Sequence, residues 1–346
     1  MGEYQAVWRL TDTTKKMFTP LIQIPELGWD FENKTKAQTI DEHLAPFAKR
    51  VYAKWGRQPC FVDLNLIAPS ERMENGIHPV RFIFDDLRAI NSQAIPVTAL
   101  HRDKAYQTEV KRVLSKDGSG ACLRVPIELS AKSTFKTEID SLLSTLEIKP
   151  SDCDFILDLG SPNFVPLEGF LMVIQNIVSV FPYLNDWRTF TLLGTSFPET
   201  MSSIKKGGEI IPRHEWRLYK MFVDSFREAG LRLPSFGDYA ISHPKVFTLD
   251  MRLVKPYATI RYTVDDAWYI IKGENVRDHG FSQYRKLSQR LQESRRYCGP
   301  NFSWGDEYIQ KCANGGKTGN LTMWRQVGTN HHIVKVIQDI ASFYAS

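Results

Sequence analysis

Apolar and polar positions along the chain alternate in two registers: short β-branched runs of strand period, and longer stretches of helical period between them. The strand-like runs are "TPLIQIPE" from Thr19, "CFVDLNLI" from Cys60, "AIPVTALH" from Ala94 and "ACLRVPIEL" from Ala121. "DFILDLG" from Asp154, "RTFTLLGTSF" from Arg188, "PSFGDYAIS" from Pro234 and "YATIRYT" from Tyr257 complete the set. In the first helical stretch, Leu44, Phe47, Ala48, Val51, Tyr52 and Trp55 share a face. Pro166 stands at a first-turn position of "PLEGFLMVIQNIVSVF". Trp216, Tyr219, Val223 and Phe226 form one stripe of a later helix.

Eight strands in βα alternation, with no Gly/Ser-rich or Pro-rich linker, predict an α/β protein. The expected form is a (β/α)8 TIM-barrel-like parallel barrel with an extended C-terminal cap. The rival, a doubly wound open sheet, wants Gly-x-Gly-x-x-Gly after its first strand, and "IPELGWDFEN" has none. On this reading 1–346 is a single domain, 19–263 the barrel and 264–346 the cap. The connection "HPKVFTLDMRLVKP" between the seventh and eighth strands is too short and Pro-bounded for a full helix. The cap holds a further β-like run "AWYIIKG", a basic helix from Ser282 to Tyr297, Gly-rich loops and a closing helix. Ile333, Val336, Ile337, Ile340 and Tyr344 share a face of that last helix.

Strand parity gives the sharpest expectation about chemistry, because successive residues face opposite ways. Val62, Leu64 and Leu66 oppose Asp63 and Asn65; Leu123, Val125 and Ile127 oppose Arg124 and Glu128. Phe155, Leu157 and Leu159 oppose Asp158, and Ile260 and Tyr262 oppose Arg261. The apolar sets belong against the helices, so the polar sets point into the lumen, near the carboxyl ends of the strands. Such charges must pair, or they cost several kcal/mol each. They form either an internal ion network or a pocket whose arginines bind an anion while a carboxylate acts as base or metal ligand. Glu26 and His101 would join the rim. Glu26, Asp63, His101, Glu128 and Asp158 are the candidate acid–base groups, and carboxylates on different strands could hold Mg2+ or Mn2+.

The five cysteines are odd in number and hold no Cys-x-x-Cys pair. That argues against a disulfide framework and a structural zinc; Cys60, Cys122 and Cys153 read as small hydrophobes at strand starts. No apolar run is long enough for a membrane helix. "MGEYQAVWRL" lacks a signal layout, and Ala6 stands where myristoylation wants Ser or Thr, so the expected location is cytoplasmic. The net charge of +5 is uneven: from Arg252 onward 14 Lys and Arg face 8 Asp and Glu. That surplus suits an anionic partner or a solvated basic face.

The tail "CANGGKTGNLTMWRQVGTNHH" looks at first like a phosphate loop, but Lys311 stands where the pattern wants its first Gly. His331 and His332 are adjacent and would diverge on a helix by ~100°, so they do not suit a shared metal. Asn330 or Thr329 would cap the closing helix and leave the histidines in its first turn. Trp304, Asp306, Lys317, Trp324, Arg325, His331 and His332 would then lie on loops able to stack bases and hold phosphates. With Asn65, Arg124 and Arg261 they are the candidate ligand-binding residues.

With "GEYQAVWRL…FTPLIQIPE" and "FSWGDEYI…TGNLTMWRQVGTNHHI" together, the chain resembles the "Beta" protein family of phages, satellite phages and prophages. The resemblance runs end to end and implies a mobile-element setting, in some members linked with anti-phage defence. It carries no catalytic residues across. The expected function is a defence-type protein whose barrel binds a phosphate-bearing ligand, a nucleotide or nucleic-acid end, with metal-assisted phosphodiester hydrolysis the reaction to test. One alternative is a non-catalytic sensor or scaffold for a partner nuclease or toxin of the same module. The other is DNA binding through the basic helix, through Arg285, Lys286, Arg290, Arg295 and Arg296.

Overall fold

The structure is a computed structural model and describes residues 2–245 and 253–345. Its strands are β1 (Leu21–Gln23), β2 (Trp29–Asp30), β3 (Thr35–Lys36), β4 (Cys60–Asp63), β5 (Ala94–Thr98) and β6 (Ala121–Pro126). They continue with β7 (Cys153–Gly160), β8 (Thr189–Gly194), β9 (Glu209–Pro212), β10 (Ser235–Gly237), β11 (Tyr257–Val264) and β12 (Ala267–Asn275). The chain divides into two compact units, one of Thr19–Gly194 with Leu218–Gly237, the other of Met1–Phe18, Thr195–Arg217 and Asp238–Ser346.

The first unit is a curled, half-barrel sheet of seven parallel strands in the order β1-β4-β5-β6-β7-β8-β10. Seven of the eight expected strands are here, in chain order. The order never reverses, as it must in a doubly wound sheet. Helices Pro79–Ala89, Lys104–Asp117, Phe135–Leu146 and Leu167–Ser179 fill the crossovers from β4 to β8. Local chemistry starts several of them. Thr39 and Glu42 form a capping box before Ile40–Leu44, and Asp103 accepts from the Ala105 and Tyr106 amides ahead of Lys104–Asp117. β2 and β3 make a small antiparallel ribbon.

Register bears out the parity reading for β4, β6 and β7. Leu123 pairs with Phe155, and Phe155 with Phe190, on the helix-facing side. There Phe155 meets Phe181 edge-on at 4.9 Å and Trp187 at 4.9 Å. The opposite parity carries Asp63, Arg124, Asp154 and Asp158. Cys60, Cys122 and Cys153 are buried, as small strand residues should be, and burial pushes the Cys60 and Cys153 thiols up to about 12.

The expected eighth barrel strand lies elsewhere. β11 pairs antiparallel with β12, and β12 with β9, in a three-stranded sheet of the second unit. The reason is local: Val264 pairs with Ala267, so only Asp265 and Asp266 join "YATIRYTV" to "AWYIIKGEN", the loop length of a tight hairpin. Around this sheet pack Trp304–Ala313, Tyr284–Glu293 and the 25-residue helix Leu321–Ala345. Much of the connection read as too short for a helix, residues 246–252, lies outside the described residues.

Gly120 opens β6 at φ +71°, and a Cβ there would sit 1.9 Å from the Asp152 carbonyl oxygen. Gly120→Ala should therefore cost more than about 1 kcal/mol, read as a lower urea midpoint at unchanged m-value.

A candidate anion-binding site at the strand ends

In the first unit, the carboxyl ends of β4, β6 and β7 and the loop after β5 bring four charged side chains together. Asp63 ends β4 with its side chain wholly buried. Its Oδ1 accepts from Arg102 Nη2 at 2.8 Å and from the Asn65 amide at 2.9 Å. Its Oδ2 accepts from Arg124 Nη1 at 3.1 Å. Arg124 also donates through Nε and Nη2 to Asp158 Oδ2, both at 2.8 Å, while Asp158 Oδ1 accepts from the Gly160 amide at 2.9 Å. Arg102 donates to the Asn65 side-chain oxygen and packs over Tyr106, 5.0 Å from its centroid. A separate ion pair, Arg188 with Asp154 at 2.5 Å, serves the amino end of β7.

The geometry thus joins Asp63, Asn65, Arg124 and Asp158, as parity required, and adds Arg102, which sequence reading missed. Its signal was present in "HRDK", where a strand run gives way to the N-cap Asp103, with Arg102 next to the candidate His101. His101 is exposed at the rim; partial desolvation of its ring, then Arg102, hold its pKa below the usual imidazole value against the opposing pull of Asp63. Glu26 is exposed beyond β1, and Glu128 is exposed on the short helix Ile127–Ser130 rather than on β6. Among the described residues no three His, Cys, Asp or Glu side chains are placed to hold a metal ion. Arginines occupy the positions beside Asp63 and Asp158, so these residues do not fit Mg2+ or Mn2+.

Arg261 does not join the strand-end group, because it belongs to the antiparallel sheet of the second unit. There it donates to the Ile241 carbonyl at 3.0 Å and lies 5.3 Å from the Phe197 centroid. Burial first, then Arg325, lower its pKa to about 10.

The tail candidates also differ from expectation, being helical and mostly internal. Trp304 and Asp306 begin a helix capped by Ser303, and His331 and His332 lie mid-helix. Asp306 accepts from Tyr262 Oη at 2.6 Å and from Ser303 Oγ at 2.5 Å, and pairs with His331 Nδ1 at 2.8 Å. His331 Nε2 meets the Thr263 carbonyl at 2.8 Å. A carbonyl only accepts, so that nitrogen donates. His332 bridges Thr263 Oγ1 and Asp238 at 2.7 and 2.8 Å. Burial raises the Asp238 pKa, but His332 and Arg213 outweigh it and the net shift is downward. Trp324 is buried, stacked on Tyr284 at 4.3 Å, and donates to the Thr318 carbonyl. Arg325 pairs with Glu3 at 2.8 Å. Of these candidates only Lys317 stands exposed on a loop.

The second unit holds one more buried group that sequence patterns did not flag. Glu215 Oε2 accepts from the Ser196 amide and hydroxyl at 3.0 and 2.7 Å, and Oε1 lies 3.6 Å from Arg213 Nε. Burial pushes its pKa up to about 7 against the opposing pull of Arg213. Arg213 is fully buried and donates to Asp339 at 2.9 Å.

Fold and strand-end network together define a mixed α/β half-barrel protein with a paired-arginine polar edge. The chain belongs to the Beta protein family, whose model matches residues 1–338. No curated protein matches it. No described helix is long and apolar enough to cross a membrane.

Two outcomes test these networks. Asp63→Asn weakens the acceptor for two arginines and should cost about 3–5 kcal/mol in chemical denaturation. Glu215 has a folded pKa above its unfolded one, so the folded state holds the extra proton and stability falls as pH rises from about 4.5 through 7. Glu215→Gln should flatten this part of the stability–pH curve, by up to ~1.4 kcal/mol per pH unit.

Proposed function

We propose that the carboxyl edge of the parallel sheet binds a small phosphate-bearing ligand through Arg102 and Arg124, with a nucleotide the first to test. The observation that carries this reading is Asp63. One buried carboxylate fixes two guanidiniums from neighbouring βα units where ligands of parallel α/β sheets bind. Arginines oriented this way meet a phosphate with little further ordering, and their planar fork suits its oxygens. Asn65 and His101 flank the edge as polar groups able to orient the rest of the ligand. The reading is one of binding: Asp63 and Asp158 serve the arginines, which does not favour them as hydrolytic groups or metal ligands. The setting that the family resemblance implies, a mobile-element module with a role in defence, is part of the same proposal.

A second reading, a scaffold for a partner protein, is favoured by the helix Leu167–Ser179. Only Ile174 and Val178 of this helix are buried, and Met172 and Val173 are 63 % and 50 % exposed. Exposed apolar side chains gathered this way mark a protein-binding surface more than a ligand edge.

Thermal shift and calorimetry with inorganic phosphate and nucleoside mono- and diphosphates separate the readings. Ligand binding predicts stabilisation in wild type and, by calorimetry at a temperature where the variant is folded, a loss of affinity of at least ~10-fold in Arg102→Gln, whose unliganded melting temperature falls as Asp63 loses one of its two arginines. If none of these ligands stabilises the protein, or Arg102→Gln binds as wild type does, the ligand reading is wrong. Loss of a co-purifying protein in Met172→Asp would support the scaffold.

A further inference from the structure

The basic helix that charge counting singled out plays no part in the strand-end site, and the second unit gives it company. Helix Tyr284–Glu293 turns Tyr284, Ser288 and Leu291 inward and leaves Arg285, Lys286 and Arg290 exposed. Two loops distant in sequence are held beside it. On one side, Arg285 donates to the Gly315 carbonyl at 3.1 Å and Gln289 to the Ala313 carbonyl at 3.0 Å. That fixes the "NGGKTG" turn against the helix and presents Lys317. On the other, buried Lys272 donates to the Met201 and Ile204 carbonyls at 2.7 and 2.9 Å. This anchors the loop that presents Lys205 and Lys206.

Glycines make the second approach close. Gly207 has φ +93°, and a Cβ on it would come 3.0 Å from Arg290 Nη1; one on Gly208, φ +122°, would come 2.8 Å from the Ile270 carbonyl. The loop therefore lies flat on β12 with Arg290 against it. In "GGKTGN", which fails as a phosphate loop, a Cβ on Gly316 would come 2.6 Å from the Lys311 carbonyl oxygen, so that turn is tight as well.

We propose that this surface, the helix Tyr284–Glu293 with its two flanking lysine loops, binds the phosphate backbone of double-stranded nucleic acid without reading its sequence. Charge complementarity carries the choice. Three segments that touch one another, the helix and the loops held against Arg285 and Arg290, contribute cations, and among the described residues Lys286, Arg290 and Lys317 have no acidic partner within ion-pair distance, whereas Lys206 pairs with Glu274 and Lys311 with Glu307. A row of exposed cations on a rigid support is the footprint of phosphate-backbone binding. A lipid surface would need apolar side chains beside the cations, and the apolar residues of this helix face inward. Single strands would need open rings for stacking, yet Tyr284 is buried under Trp324 and Tyr269 lies beneath Arg296 at 5.3 Å. The inference is independent of the strand-end site.

The test is fluorescence anisotropy with a labelled DNA duplex of arbitrary sequence across a salt series, on the full chain. Wild type should bind with affinity falling steeply with salt. The triple variant Lys286→Glu, Arg290→Glu, Lys317→Glu should weaken binding at least ~10-fold and reduce the log–log salt slope by ~3, about 0.9 for each phosphate no longer neutralised. A control with Lys132→Glu and Lys149→Glu, exposed lysines of the first unit, should bind as wild type does, and circular dichroism should show every variant folded. Absence of duplex binding, equal weakening in the control, or binding to phosphatidylserine vesicles in place of DNA would each overturn the proposal.

Discussion

A carboxylate removed from water must be matched by cations, and at the strand ends Asp63 meets that demand with two arginines from different βα units. Arg102 and Arg124 converge on its two oxygens, and Arg124 continues to Asp158. A buried ion of this kind costs several kcal/mol unless its partners are in place. The pairing therefore ties the loop after β5 to β4, β6 and β7. It also leaves two guanidiniums oriented at the edge where parallel sheets accept ligands, so one interaction serves both the architecture of the first unit and its candidate chemistry.

The second unit uses buried polarity differently. Asp306, His331, Tyr262 and Thr263 form a closed set of hydrogen bonds between the last long helix and the antiparallel sheet, and His332 extends it to Asp238. The approach is close enough that a Cβ on Gly328 would lie 2.8 Å from the Arg261 carbonyl oxygen. Residues that look like ligand-binding groups in sequence are here the internal joints of a helix–sheet interface. In a low-dielectric interior such fully satisfied networks fix one packing over others.

Seven parallel strands and the polar sets on β4, β6 and β7 were legible because period-two alternation maps directly onto the two faces of a half-buried sheet. The eighth strand misled for the same reason: alternation in "YATIRYT" says that one face is buried, and is silent on which neighbour it pairs with. Its true partner was foreshadowed by the second run after Asp265 and Asp266, a hairpin spacing that barrel counting passed over. The tail was harder to read. Gly328, Thr329 and Asn330 are poor helix formers, so "VGTNHH" reads as a loop, yet Asn330 bonds the Gly305 amide and the Ala6 carbonyl. Tertiary hydrogen bonds and a close backbone approach there outweigh local propensity.

The sequence by itself determined the βα succession, the inward-facing carboxylates and arginine of three strands, and the basic excess of the last quarter. Each of these rests on periodicity or composition, which neighbouring residues carry along the chain. Only the tertiary structure decided that Arg102 completes the Asp63 group and that Arg261 belongs to another sheet. It alone decided that the paired histidines are buried and that two lysine loops flank one arginine helix. Those facts depend on which segments distant in sequence meet, and the free energy that settles such meetings comes from burial and pairing that no local pattern records.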